Sequence, residues 1–211
     1  MFVTLAFLSS LSDAATPVEL LAIEKKYQEA GGFEAAFKQI KTKSLTGFET
    51  ISTGHVQILL PGKFRWEVLT PRKSLTVSNG IKIWVVQFPT LPNEPEQVLE
   101  ETAQQAQTQL IQDLLGAKFS SLSTTQFIKL SETSFKLNPK PGELGDLESI
   151  LIKSDERDLN LKEITLFHRN RDQTHVTLTQ FQFKRDFARD EFTYLASPQA
   201  RKIKNSPTRA R

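Results

Sequence analysis

The feature that most restricts the fold is a run in which Phe64, Trp66 and Val68 alternate with Lys63, Arg65 and Glu67. A period of two belongs to an extended strand with one apolar and one solvated face. A second apolar run over 81–86, containing Trp84, follows Asn79-Gly80. Asn-Gly between apolar runs marks a hairpin, because both residues tolerate the positive φ of a tight type I′ turn. Both tryptophans of the chain lie here. The region reads as an antiparallel meander presenting large aromatic side chains to one side.

The same punctuation extends along the chain. A strand over 47–60, with His55, Val56, Ile58 and Leu60, ends at the turn Pro61-Gly62. Strands over 64–69 and 75–78 and one running to Phe88 follow, and Pro89, Pro92 and Pro95 then close the meander in a loop, since proline cannot donate to a ladder. Alternating segments return at 127–130, 134–137, 149–153, 160–167 and 176–183, with 192–195 as a last strand.

Two segments carry helical spacing instead. The first starts with Thr16 as a capping hydroxyl, Pro17 in the first turn and Glu19 at the positive end. Its stripe of Leu20, Leu21, Ile23 and Tyr27 is interrupted at Gly31-Gly32 and resumes with Phe33, Ala36, Phe37 and Ile40. The second runs over 96–115, where Val98, Thr102, Ala106, Leu110 and Leu114 recur every four residues, joined by Leu99, and Gly116 stops it. The expected fold is α+β: a curved antiparallel sheet of about ten strands, too wide to stay flat, with helices on one side.

At 211 residues the chain suits one domain. Residues 1–15 are apolar up to Asp13 and end in small residues, which reads as a secretory signal. The domain is expected over 16–198, and 199–211 as a basic, disordered tail. The absence of cysteine excludes disulfides, thiolate metal sites and a lipidated N-terminal cysteine. His55, His168 and His175 lack metal-ligand spacing, and the last two flank a polar turn across which they are expected to face each other. Glu143, Asp146 and Glu148 read as surface carboxylates. No nucleophile elbow, phosphate loop or dinucleotide fingerprint is present, so no catalytic residue, metal or cofactor is expected, and no recognition motif for nucleic acid accompanies the basic tail. Fifteen phenylalanines against two tyrosines favour dry surroundings, in a core or an apolar cavity.

Several pieces together resemble the LolA family of periplasmic carriers of outer-membrane lipoproteins and the wider LolA-like lipid-binding proteins. They are Phe37-Lys38-Gln39, the block Pro61-Gly62-Lys63-Phe64-Arg65-Trp66-Glu67, Pro71, Ser78-Asn79-Gly80 with Trp84, and Glu96-Gln97-Val98. The resemblance implies an unclosed antiparallel barrel under a lid of helices, with an apolar cavity between them. It implies a monomeric, exported carrier that takes lipoprotein acyl chains from an inner-membrane ABC transporter to an outer-membrane receptor and performs no chemistry. Phe64, Trp66, Val68, Leu75, Val77, Trp84 and Val86 are then the expected cavity wall, with Leu99, Ala106 and Leu110 from the lid helix. The family usually has an arginine, associated with latching the lid, immediately before the proline; Leu60 stands there in this chain. The alternative readings are a LolA-like lipid sensor and a carrier of another lipid. The related outer-membrane receptor would need the missing cysteine, and an enzyme in the same cavity would need convergent polar groups.

Overall fold

The computed structural model describes residues 16–102, 113–119, 122, 125–139 and 144–203. Helix α1, Val18–Ala30, is followed by β1 (Gly32–Thr42), β2 (Glu49–Leu59), β3 (Lys63–Thr70), β4 (Ser74–Asn79), β5 (Lys82–Gln87) and β6 (Gln97–Thr102). Residues 113–115 are helical. Then come β7 (Thr125–Ser131), β8 (Ser134–Pro139), β9 (Leu147–Ser154), β10 (Leu161–His168), β11 (Gln173–Phe183) and β12 (Arg201–Ile203).

These twelve strands of the described residues form one sheet in the order β12-β6-β5-β4-β3-β2-β1-β11-β10-β9-β8-β7. Every pairing is antiparallel except that of β12 with β6. The sheet is unclosed, with β12 and β7 at its two ends. It has two more strands than the pattern suggests, because β12 takes the place of the strand expected at 192–195 and β1 and β6 are added.

At both of these the sequence spacing predicts helix. The helix does end at Gly31, whose φ of 74° lets its N–H reach the Tyr27 carbonyl at 2.9 Å. Beyond it, Phe33, Ala35 and Phe37 are all buried, a period of two rather than a resumed helical stripe. At the other end the cap is Pro17, whose carbonyl accepts from Leu21 N–H, and no side-chain bond from Thr16 caps the helix. In β6, buried Val98 and half-buried Leu99 point to opposite faces. A four-residue spacing such as Phe33 to Phe37 or Val98 to Thr102 satisfies both periods, and pairing with neighbouring strands decides for the strand. Residues 103–112, including Ala106 and Leu110, and the signal segment 1–15 lie outside the described residues.

The sheet has two apolar faces. On one, α1 packs through Leu20, Ile23 and Tyr27 against Phe33, Val56, Ile58 and Phe64 and against Phe135, Ile150, Ile152 and Ile164 of the other half. Leu114, Leu115, Phe119 and Leu122 from the connection between β6 and β7 join this core. On the opposite face Leu75, Val77, Trp84, Val86 and Val98 are covered by Phe192, with Phe187, Tyr194, Ala196 and Ala200 against them. The first is called here the helix face and the second the strap face, after the irregular segment 184–200 that crosses it. The strand expected at 192–195 belongs to this strap, and the final strand is β12, inside what reads in sequence as a tail.

At the centre of the helix face the rings of Phe37 and Trp66 stack at 3.9 Å between centroids. Gly54, opposite both Phe37 and Val68 in register, makes that approach possible. A Cβ on Gly54 would lie 1.9 Å from the Glu67 carbonyl oxygen and 2.8 Å from the Phe37 ring. Gly54→Ala is therefore expected to destabilise the fold by about 1–3 kcal/mol through overpacking, read as a lowered urea midpoint; an unchanged midpoint would show that the strands part freely there.

Candidate functional site

Register settles which of the expected cavity residues share a face. Trp66 pairs with Thr76, and Thr76 with Val85; Phe64 pairs with Ser78, and Ser78 with Ile83. Directly opposed residues project to the same side. Phe64, Trp66 and Val68 therefore lie on the helix face together with Ile83 and Val85. Arg65 pairs with Val77, Val77 with Trp84, Glu67 with Leu75 and Leu75 with Val86. Leu75, Val77, Trp84 and Val86 thus belong to the strap face. The seven residues do not line one wall, and the two tryptophans point away from each other.

The reason is the connection between β3 and β4: Val68 pairs with Ser74, so even-numbered residues of β3 face even-numbered ones of β4, and Leu75 and Val77 fall on the Arg65 side. In the hairpin that follows, the positive φ, 91°, falls on Gly80 and not on Asn79. Asn79 instead caps the turn, its Oδ1 accepting from Ile81 N–H at 2.9 Å and Lys82 N–H at 2.8 Å. The two-residue loop is Gly80-Ile81, one position later than Asn79-Gly80. A two-residue loop at either position pairs odd residues of β4 with even ones of β5, so Trp84, opposite Val77, lies on the Arg65 side in both cases.

The two faces also differ in cover. On the strap face Trp84 keeps 8% exposure and the four aliphatic residues 4% or less. Trp84 donates through Nε1 to Glu100 at 3.2 Å. On the helix face Phe64 is buried, but Trp66 and Val68 of β3, Val85 of β5 and Leu99 of β6 are only half-buried. Val85 and Leu99 are register partners. A half-open apolar strip therefore crosses strands β3 to β6 on the side that bears α1. Leu99, expected on a lid helix, is part of the sheet itself.

Polar groups fix the two covers. Helix α1 is held by the Glu19–Lys129 ion pair at 2.6 Å, by Lys26 donating to Asn160 Oδ1 at 2.9 Å and to the Asp158 carbonyl, and by Leu161 N–H donating to the Tyr27 hydroxyl at 2.8 Å. Lys129 holds the Glu19 carboxyl below its ordinary range, while burial raises the Tyr27 phenol well above its own. Arg185 donates to the carbonyls of Glu29 and Ala30 at the helix end, the negative end of its dipole. Leu60 packs half-buried against the helix-face core, and its backbone N–H donates to the Gly31 carbonyl at 2.8 Å.

The strap is pinned by Glu96 and Arg65. The Tyr194 hydroxyl donates to Glu96 Oε2 at 2.6 Å, Ser197 N–H to Oε1 at 2.8 Å, and Arg201 N–H to the Glu96 carbonyl at 2.8 Å. The Tyr194 hydroxyl and then Ser197 N–H hold the Glu96 carboxyl below the usual carboxylate range. Arg65 donates to Glu67 at 3.1 Å and to the Glu191 carbonyl at 3.3 Å. Beside it a depression of about 400 Å³ is lined mainly by polar residues, among them Glu34, His55, Gln57, Arg65, Glu67 and Glu191, a lining poorly suited to hydrocarbon.

The histidines do not face each other. His168 bonds Asp146 at 3.0 Å, whereas His175 bonds Thr165 at 2.9 Å and Thr177 at 3.2 Å. Glu143 lies outside the described residues.

The model of the family described as outer membrane lipoprotein carrier protein LolA matches residues 28–195. An outer-membrane lipoprotein carrier protein of Coxiella burnetii is 28% identical over 198 residues, covering 87% of this chain and 89% of its own. Another, of Psychromonas ingrahamii, is 39% identical over 80 residues, 38% of each chain. Among solved structures, an uncharacterised conserved protein of Thermus thermophilus superposes with a TM-score of 0.52 at 12% identity, covering 89% of this chain and 98% of that one, a likeness of fold.

Because the folded pKa of Glu96 is depressed, its contribution is present above the unfolded carboxylate pKa and lost as pH falls through the folded value. Glu96→Gln is therefore expected to be less stable than the parent near neutrality, with the difference vanishing on acidification below the ordinary carboxylate range. Thermal midpoints of both proteins across that range check it, and a difference independent of pH would remove the charge from the account.

Proposed function

The chain belongs to the LolA family of outer-membrane lipoprotein carriers, and we propose that it is itself a periplasmic carrier that shelters lipoprotein acyl chains on the helix face of its sheet. One observation supports this most: the strap face is sealed by the chain's own residues, while the strip Trp66, Val68, Val85 and Leu99 on the helix face is left half-open.

The physical demands on a carrier match that strip. Each buried CH₂ of cargo is worth about 0.8 kcal/mol, so a protein that ferries an acyl chain must offer apolar surface comparable to a membrane and still give the chain up. Side chains without convergent hydrogen-bond donors hold hydrocarbon by dispersion alone, with little shape specificity, which keeps the cargo exchangeable. The four half-buried residues come from three strands of a rigid sheet, so the surface is preformed. Helix α1 is fastened to the opposite half by exposed or part-exposed polar contacts at Glu19, Lys26 and Arg185. Leu20, Ile23 and Tyr27 seat the helix firmly in the core, so cargo enters beside α1 rather than beneath it, and these individually weak polar contacts only set its rim. In this reading they replace the arginine that the family usually has where Leu60 stands. The wall of the site is reduced from the seven expected residues to Phe64, Trp66 and Val68, extended by Val85 and Leu99.

The reading places an inner-membrane lipoprotein-releasing transporter before this protein and an outer-membrane receptor after it, with the carrier acting as an exported monomer and making or breaking no bond. Among the described residues no helix is long and apolar enough to cross a membrane.

Leu99→Glu is expected to weaken capture of a fluorescent fatty acid by about tenfold, the scale of placing a charge in an apolar contact, whereas Lys63→Glu on the strap face leaves it unchanged. Displacement titrations on the two variants, with matched unfolding midpoints, decide the matter. Equal losses would reject the helix face as the binding surface, and no fatty-acid capture by the parent protein would reject lipid carriage.

A further inference from the structure

The turn between β1 and β2 carries an apolar group that no part of the fold covers. Leu45 is 97% exposed, Phe48 65%, Ile51 on β2 49%, and Leu69 on the adjoining β3 44%. Scattered exposed leucines are ordinary, but four large apolar side chains at one end of the sheet form a patch.

The loop that bears them is held in shape. Lys43 N–H donates to the Phe48 carbonyl at 2.9 Å and Gly47 N–H to the Lys43 carbonyl at 2.8 Å. Asp172, from the neighbouring β10–β11 turn, accepts from the Lys43 ammonium at 2.6 Å and from Ser44 N–H at 3.0 Å. Gly47 takes a φ of 67° and has open space on its outer side. The loop is thus braced from behind while Leu45 projects outward.

The charges around the patch have an excess of one sign. Lys41, Lys43, Arg72, Arg169 and Arg171 are exposed at this end of the sheet. The register places them together, since Thr42 pairs with Gln173 and Thr53 with Thr70. Of the carboxylates here, Asp172 is engaged by Lys43, Asp146 by His168, Glu49 accepts from the Thr42 hydroxyl at 3.4 Å, and Glu148 is exposed further out on β9. Cations outnumber them.

From the exposed Leu45 and Phe48 on a braced turn ringed by lysine and arginine, we infer that the β1–β2 tip touches the surface of an anionic phospholipid bilayer. A convex tip offers no groove for a folded partner, but a bilayer interface needs none. Leucine and phenylalanine enter the acyl boundary while the surrounding cations meet the headgroups. The two terms are each insufficient for lasting attachment, so contact is reversible, which suits a protein that must leave again. This inference concerns docking and does not depend on what the helix face binds.

The test uses the full mature chain stripped of acyl ligand and vesicles of phosphatidylcholine with or without phosphatidylglycerol. The parent protein is expected to sediment with the phosphatidylglycerol vesicles, less so as salt is raised. Leu45→Asp combined with Phe48→Asp should lower the partition coefficient at least about tenfold with an unfolding midpoint close to the parent's, because both side chains are mostly exposed. In a Leu45→Trp variant, brominated lipid should quench fluorescence beyond the quenching seen in the parent. Failure of the parent to bind phosphatidylglycerol vesicles, equal binding by the double variant, or absence of extra quenching would each overturn the inference. So would concentration-dependent self-association abolished by the same pair, which would make a second copy of the chain the occupant.

Discussion

Everything in this molecule follows from one constraint: a strand shows alternate side chains to two sides, and a wide sheet that does not close has two sides to cover. A closed barrel of this size would need cover only at its mouths. Here α1 with Leu114, Leu115, Phe119 and Leu122 shields one face and the strap over 184–200 the other. Each cover is fixed by buried apolar side chains and a few polar anchors rather than by sheet pairing, so the sheet is the frame on which both are seated. The asymmetry between a sealed strap face and a half-open helix face is what gives one side a claim to cargo.

The two faces also explain why Arg65 and Glu67 sit between aromatic residues in so apolar a stretch. They are directed to the strap side, where Arg65 ties the strap down through Glu191. Phe64 and Trp66 are directed to the other, where Trp66 stacks on Phe37. The same short strand thus serves two covers at once. A change at either set is felt on only one face, provided the pleat survives.

Most strands are legible in the sequence because alternation and turn residues agree, as at β3, β4 and β7 to β11. Sequence spacing fails where two periods coincide: Phe33 with Phe37 and Val98 with Thr102 fit helix and strand alike, and only pairing with β11, β2 or β5 breaks the tie. The cavity residues are half legible. Facing within β3 follows from its own pattern, but the facing of β4 and β5 relative to it depends on the register across the 71–73 connection, where a one-residue change reverses every side chain beyond it. The strap is illegible for a different reason. Its apolar residues Phe187, Phe192 and Tyr194 have no period, since they follow the contour of a surface made by distant strands. Glu96, which reads as the first turn of a helix, gives no sign in the sequence that it anchors residues so far along the chain.

The seam between β1 and β11 brings Phe33 against Phe183 in the middle of the sheet. The strands on either side of it are hairpin neighbours in sequence, save β12 and the connection from β6 to β7. Two arcs of local contacts can therefore close early, but the join between them waits for the eleventh strand, and non-local pairing costs loop-closure entropy before any contact rewards it. The strap comes after that. A chain lacking its last thirty or so residues would leave the Trp84 side of the sheet bare, so the order of synthesis makes the C-terminal stretch the step that turns a sticky half-shell into a finished protein.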